Sequence, residues 1–418
     1  MFSIALMSSF RVGQSTTMNA MAGHVICPSG NGGGGIRTSS CAVKVNYGVA
    51  KPTVIWKSTE TLSRDLEYWT AGQISSGQND SQRRETFKEL ALNMTEQLKT
   101  YDTVVVDRMH QVLLYMSYYD HPQVTDWFSR DTFTDEEICA FLAFPADIDF
   151  RWSKVHEQIM QIKAPTPEQL RKIMRNEFYP TNAMYLFIEM ATFSTQSEYM
   201  RKGVSVFDTP RFGRDMTDSR VTNRFIAEVD AIFYFFNGES QLNKADIKVL
   251  KLIDDLGFKN KVFFGINFRS PPAKKERLYQ MIQAQLQSLG YNTPHQQNLL
   301  LFNAFLAQRA GQGRLILDNA LNRNDVDKIL VEAKETIGLE TNDVKQAWIE
   351  TTADVMRLVG LIDDEKKFIN MGITEESINI VRRAGRLDNV INFILINTLS
   401  KLKGGMPLQI MNDANYFL

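Results

Sequence analysis

The chain has 418 residues, enough for two or three packed units, and its 44% hydrophobic and 23% charged content is that of an ordinary globular protein. A net charge of −1 excludes a protein built mainly to grip nucleic acid, which needs a basic footprint, yet leaves room for one nucleotide held by local charge. Three cysteines, Cys27, Cys41 and Cys139, make no disulfide framework and fit a reducing compartment, and no apolar run is long enough to span a bilayer. The expectation is a cytoplasmic chain, or one peripheral at a membrane.

The first element, "FSIALM" (2–7), lacks the charged start and small-residue cleavage site of a signal peptide and reads as a strand. A turn and a helical "TTMNAMAG" follow, then the glycine-rich "PSGNGGGG" (28–35) and a second strand, "CAVKVNYG" (41–48). Residues 50–177 hold helical segments and few strand candidates. "TDEE" at Thr134–Glu137 and "TPEQ" at Thr166–Gln169 both have the capping-box form, the second with Pro167 at the first helical position.

Five more apolar runs read as strands: "MYLFIEMATF" (184–193), "VSVFD" (204–208), "AIFYFFN" (231–237), "VFFGIN" (262–267) and "LLLFNA" (299–304). From residue 204 they alternate with helical segments such as 242–256 and 272–289, the signature of right-handed βαβ units. Residues 311–381 are helical again, with "TEES" at Thr374 opening one segment, and a last helix covers 387–403. The predicted fold class is α/β, a mostly parallel sheet with flanking helices plus large helical insertions. Its units are a core in two parts (1–49 and 178–310), helical insertions at 50–177 and 311–381, and a last core helix and tail at 382–418.

The chemistry concentrates at strand ends. A phosphate-binding loop follows G-x-x-x-x-G-K-[ST] between a strand and a helix. Here the frame is Ser8-x-x-x-x-Gly13-Gln14-Ser15 in "SSFRVGQSTTMNAMAG", so two of the four signature positions differ; taken alone, an ordinary strand–turn–helix explains it equally well. Further along, "VFDTPRFG" puts Asp208 at a strand end, where a nucleotide hydrolase places the aspartate that reaches Mg²⁺ through water. "KVFFGINFRS" puts Asn267 in the slot of a guanine-reading N-K-x-D, and "LLLFNAFLAQRA" puts Asn303-Ala304 where a base-contacting S-A sits. Carboxyl ends of strands are where open α/β sheets bind ligands.

This ordered set, together with "TSSCAVKVNYG" and "FIAEVDAIFYFFNGESQLNKAD", resembles the GTPase core of the dynamin superfamily, particularly its bacterial and mitofusin-like branches, over about half the chain, and so implies that the α/β fold is P-loop GTPase-like. The resemblance implies GTP as substrate, Mg²⁺ as metal, a homodimer through the nucleotide-binding face, and action at a membrane surface or with a second dynamin-like subunit. It implies a nucleotide site built from Ser9, Phe10, Arg11, Val12, Gly13, Gln14, Ser15, Thr16, Asp208, Asn267 and Asn303. Ser15, Thr38 and Asp208 would serve the metal, with Ser39 or Ser40 as alternatives to Thr38 for the first-switch hydroxyl; the catalytic positions would be Arg11, Gln14 and Thr38. The long stalk of such proteins has no ordinary place here unless residues 50–177 serve as one.

The departures bear on activity. Gln14 stands where the family has a lysine, and a neutral amide donates weaker bonds to phosphate than a charged group. Arg211 takes the place of a glycine whose amide meets the γ-phosphate, and Phe268 and Ser270 take the lysine and aspartate positions of the base motif. Arg11 is either a solvated loop arginine or, as in guanylate-binding proteins, an internal finger that stabilises charge in phosphoryl transfer. Two functions therefore stand open: a weak or assisted GTPase, and a catalytically impaired nucleotide-binding scaffold acting in protein assembly.

Overall fold

The structure, a computed structural model, describes residues 2–8, 12–26, 41–75, 78–100, 102–143, 145, 147–208 and 226–399. Its centre is one eight-stranded sheet made of β1 (Phe2–Ser8), β2 (Ala42–Tyr47), β3 (Thr53–Trp56), β4 (Ile188–Thr195), β5 (Val204–Asp208), β6 (Ala231–Asn237), β7 (Val262–Asn267) and β8 (Leu300–Phe302), in the order β3-β4-β2-β5-β1-β6-β7-β8. The five strands from β5 to β8 run parallel; β2 is antiparallel to β5 and parallel to β4, and β3 closes the far edge antiparallel to β4. The predicted α/β class with a mostly parallel sheet is what the structure has.

Parallel strands buried on both faces carry continuous apolar runs rather than alternation. In β6, Phe233 and Phe235 face one side, where they join Ile4 and Leu6 of β1 and Met18; Ile232, Tyr234 and Phe236 face the other, with Ala5 and Met7. The first face is covered by α1 (Gln14–Ala22), by a helical unit and by the last helix. The helical unit comprises α2 (Thr59–Trp69), α3 (Asp80–Leu98), α4 (Thr103–Tyr118), α5 (Pro122–Phe128), α6 (Asp135–Leu142), α7 (Ile148–Met160) and α8 (Pro167–Glu177). It shares one apolar cluster with the sheet, through residues such as Leu90, Met94, Leu113, Phe141 and Met174. The second face is covered by α10 (Lys244–Asp255) and α11 (Glu276–Ser288), the short α9 (Glu198–Arg201) lying between β4 and β5.

After β8 comes α12 (Ala304–Leu317), which packs on α1 and carries a second helical unit: α13 (Arg323–Ile337), α14 (Val344–Leu358), α15 (Glu365–Met371) and α16 (Glu375–Gly385). These helices close their own cluster around Trp348, Ile329, Met356 and Phe368, and the last helix, α17 (Leu387–Leu399), returns to the sheet against β8. Both predicted capping boxes form, Thr134 with Glu137 and Thr166 with Gln169, and Thr374 caps α16.

Two elements depart from the sequence expectations. Strand β3, at residues 53–56, lies in a stretch read as helical, and the strand placed at 184–193 begins only at Ile188, because Pro180–Leu186 forms a 3₁₀ turn. "DHPQVTD" combines a turn with a helix start, His121 accepting from Gln123 N–H as the cap of α5. Among the described residues no helix is long and apolar enough to cross a membrane.

Candidate nucleotide-binding site

The strand ends predicted to carry chemistry form one row along the carboxyl edge of the sheet. Leu6 of β1 is paired with Asp208, Ser8 with Phe235, and Asn267 with both Asn237 and Phe302. The chain leaves β1 at Ser8 and enters α1 through Gly13, whose φ of 98° and ψ of 31° lie in the left-handed region. A side chain at Gly13 would be strained there and would also meet the Asn267 amide nitrogen at 2.7 Å. The cap residue of α1 is Gly13, which has no side chain to offer, and a helix N-terminal turn of this kind suits an anion.

Gln14 bonds back to β1. Its Nε2 donates to the Leu6 carbonyl at 2.7 Å, and Ser8 Oγ donates to its Oε1 at 3.4 Å. A lysine ammonium in the same place would carry charge; the amide here ties the first helical residue to β1. Ser15 is nearly buried, Thr16 half-buried, and Thr17, which the sequence motif does not single out, donates from Oγ1 to the Gly13 carbonyl at 2.9 Å.

Asp208 is fully buried at the end of β5, between Leu6 of β1 and Val43 of β2. β2, which begins at Ala42, thus enters the sheet directly beside it. Ser9, Phe10, Arg11, Thr38, Ser39, Ser40 and Arg211 lie outside the described residues. The hydroxyl of Ser15 and the carboxylate of Asp208 are hard oxygen donors of the kind Mg²⁺ takes, and by their elements they flank the same loop. Among the described residues no three His, Cys, Asp or Glu side chains group as a metal site.

The two asparagines are tied to backbone. Asn267 Nδ2 donates to the Val12 carbonyl at 2.7 Å while its Oδ1 accepts from Ala304 N–H at 3.0 Å, joining the turn before α1 to the start of α12. Asn303 caps α12, its Oδ1 accepting from Leu306 N–H at 2.9 Å, and its Nδ2 donates to the Phe268 carbonyl at 2.9 Å. Both asparagines are buried, and each uses its amide nitrogen and oxygen on the backbone.

The rest of the base motif points elsewhere. Phe268 is fully buried with Leu306 and Trp348, the Arg386 guanidinium 5.7 Å from its ring centroid. Ser270 Oγ donates to Glu239 at 2.9 Å, and Lys275 pairs with the same carboxylate at 2.9 Å. Burial alone would raise the Glu239 carboxyl; the bonds from Lys275 and Ser270 outweigh it and hold the group below its ordinary value. Neither Glu239 nor Lys275 was legible as a site residue, since no motif position marks them.

No protein-family model and no curated protein matches the chain. Solved structures do: two chains from work on an oligomerised bacterial dynamin pair, described as sensing and tethering membranes over long range, align with TM-scores of 0.41 and 0.40 at 11% and 12% identity. The alignments cover 96% and 94% of this chain but 48% and 46% of those chains, so this chain spans about half their length.

Proposed function

We propose that this chain is a dynamin-like GTPase of low intrinsic activity, binding GTP with Mg²⁺ at the carboxyl edge of the sheet. The observation that carries this is the left-handed Gly13 opening the helix that carries Ser15 directly after β1, with Asp208 buried at the adjacent strand end. Backbone N–H groups of the turn would surround the phosphates, and Ser15 and Asp208 would hold Mg²⁺, which neutralises charge on the phosphoryl oxygens when bound. Thr38 would close over the attacking water, and Arg11 would offset part of the charge that Gln14 does not supply. Asn267 and Asn303 would lie at the base end of the site.

By the sequence resemblance, two such faces meet in a homodimer, or against a second dynamin-like subunit, and hydrolysis acts at a membrane surface to which the chain is peripheral. The test is calorimetric titration with GTP, GDP and ATP analogues, with and without Mg²⁺. Micromolar, Mg²⁺-dependent binding selective for guanine is expected; no binding at millimolar nucleotide refutes the proposal.

One observation favours a second function, a nucleotide-gated or nucleotide-free scaffold. The Gln14 amide is spent on the Leu6 carbonyl and Ser270 on Glu239, so two positions the family uses for ligand serve the protein itself. Guanine-selective turnover would remove this alternative.

A further inference from the structure

Gly23–Ile26 carry the chain out of α1 and sit where the sheet meets both helical units. Thr195 Oγ1 donates to the Ala22 carbonyl and Ser197 Oγ to the Met21 carbonyl, each at 2.6 Å, so the end of β4 grips the last turn of α1. Gly23 lies against Gly311 of α12, where an added Cβ would stand 3.0 Å from the Gly23 oxygen. From α6, Asp135 lies 3.5 Å from His24 Nε2, and the Cys139 thiol donates to the Ile26 carbonyl at 3.1 Å. From α13, Asp325 Oδ1 accepts the Val25 N–H at 3.0 Å.

Asp325 is the costly member of this set. It is fully buried, and its Oδ2 makes no hydrogen bond to any described residue. A buried carboxylate opposes folding unless hydrogen bonds offset the water it has lost. The first turn of α13 does not need it as a cap, because Asn322 already accepts from Asp325 N–H at 2.8 Å. What the carboxylate adds is a bond to a backbone group 300 residues away, at the foot of the phosphate-loop helix.

We propose that Asp325 is a positioning residue for the phosphate loop, holding the end of α1 from the second helical unit and so setting where Gln14 and Ser15 stand. The proposal rests on the GTPase function above. Helix α1 has nine residues, about 14 Å at ~1.5 Å per residue, and transmits a shift at Gly23 to its other end as a rigid body. A misplacement on the order of 1 Å at a reacting centre costs roughly a hundredfold in rate, so a small displacement is enough.

The experiment uses the full chain with Asp325→Ala and Asp325→Asn, the latter keeping the Oδ1 acceptor. GTP turnover is measured alongside amide hydrogen exchange across residues 12–26. Asp325→Ala is expected to lower kcat by about tenfold or more with KM within about threefold and to speed exchange in 12–26, while Asp325→Asn stays near wild type in both. Unchanged kcat in Asp325→Ala, or a loss in Asp325→Asn equal to that in Asp325→Ala, overturns the proposal. In the unaltered chain, a GTP analogue is expected to slow exchange in 23–26 and 323–329 together; protection confined to 12–22 overturns it even where Asp325→Ala does not fold. If the unaltered chain binds no nucleotide, the GTPase function fails separately. Exchange in the unliganded variants then decides: faster exchange in Asp325→Ala but not Asp325→Asn upholds the positioning role, and equal exchange ends it.

Discussion

Replacing Gly13 by alanine strikes two features of the loop at once. At a φ of 98° an L side chain costs on the order of 1–2 kcal/mol. The new Cβ would also stand 2.7 Å from Asn267 Nδ2 and push that amide off the Val12 carbonyl, and a buried bond left unmade costs about 1–3 kcal/mol. The whole change is then worth roughly 2–5 kcal/mol. Asn267→Ala alone removes the bonds to Val12 and Ala304, for roughly 2–6 kcal/mol. In that background Gly13→Ala meets no amide, and only the backbone strain of about 1–2 kcal/mol remains. The double variant should therefore be more stable than the two single losses combined, by about 1–3 kcal/mol, as neighbours sharing one contact are not additive. Urea unfolding of the four proteins measures this. Losses that add to within about 0.5 kcal/mol would refute the geometry claimed for the Gly13–Asn267 contact.

Three further outcomes are expected. Burial holds the Asp325 carboxyl up at about 6 against an ordinary 3.8, partly countered by the Val25 N–H and by His24. Its stabilising contribution is full below pH 3.8 and lost as pH rises through about 6, a change of about 3 kcal/mol; Asp325→Asn should thus gain in Tm relative to wild type across that window, and a difference independent of pH counts against it. His156 Nε2 lies 2.8 Å from His110 Nε2, room for one shared proton, and burial holds His156 below its ordinary 6.5. The stability that neutral, buried His156 contributes is full above pH 6.5 and lost as pH falls below it, so the acid limb of Tm against pH should flatten in His156→Gln; an unchanged limb counts against a buried neutral His156. Gln14→Lys restores a charged donor at the phosphates and should tighten GTP-analogue binding by about fivefold to tenfold, the gap between charged and neutral hydrogen bonds; equal affinity by calorimetry would show that charge at residue 14 is not limiting.

Much of the sheet was legible because its central strands are buried on both faces and therefore read as unbroken apolar runs, as in "AIFYFF" and "VFFGI". Strand β3 was not, since four half-exposed residues at a sheet edge carry no pattern until β4 pairs with them. The start of β4 was misplaced because "MYL" is as apolar as a strand, yet Pro180 and the Asn182 side chain, which accepts from Tyr179 N–H, turn it into a 3₁₀ helix. The row of site positions at strand ends was legible in the same way, from order and spacing. What each side chain does there was not: the motif marks Asn267 for the base, and only packing shows its amide bound to Val12 and Ala304.

The sequence by itself therefore determined the α/β class, the strand-to-helix loop at Gly13 and the line of Asp208, Asn267 and Asn303 along one sheet edge. These follow from local rules: apolar period, turn residues and motif spacing act within a few positions of the chain. Tertiary structure alone decided that Gln14 folds onto Leu6, that Phe268 belongs to the second helical unit, and that Asp325 reaches Val25. Each of these depends on which distant segment fills the space beside a side chain, and a polar group buried there must take its partner from whatever backbone the fold brings within reach.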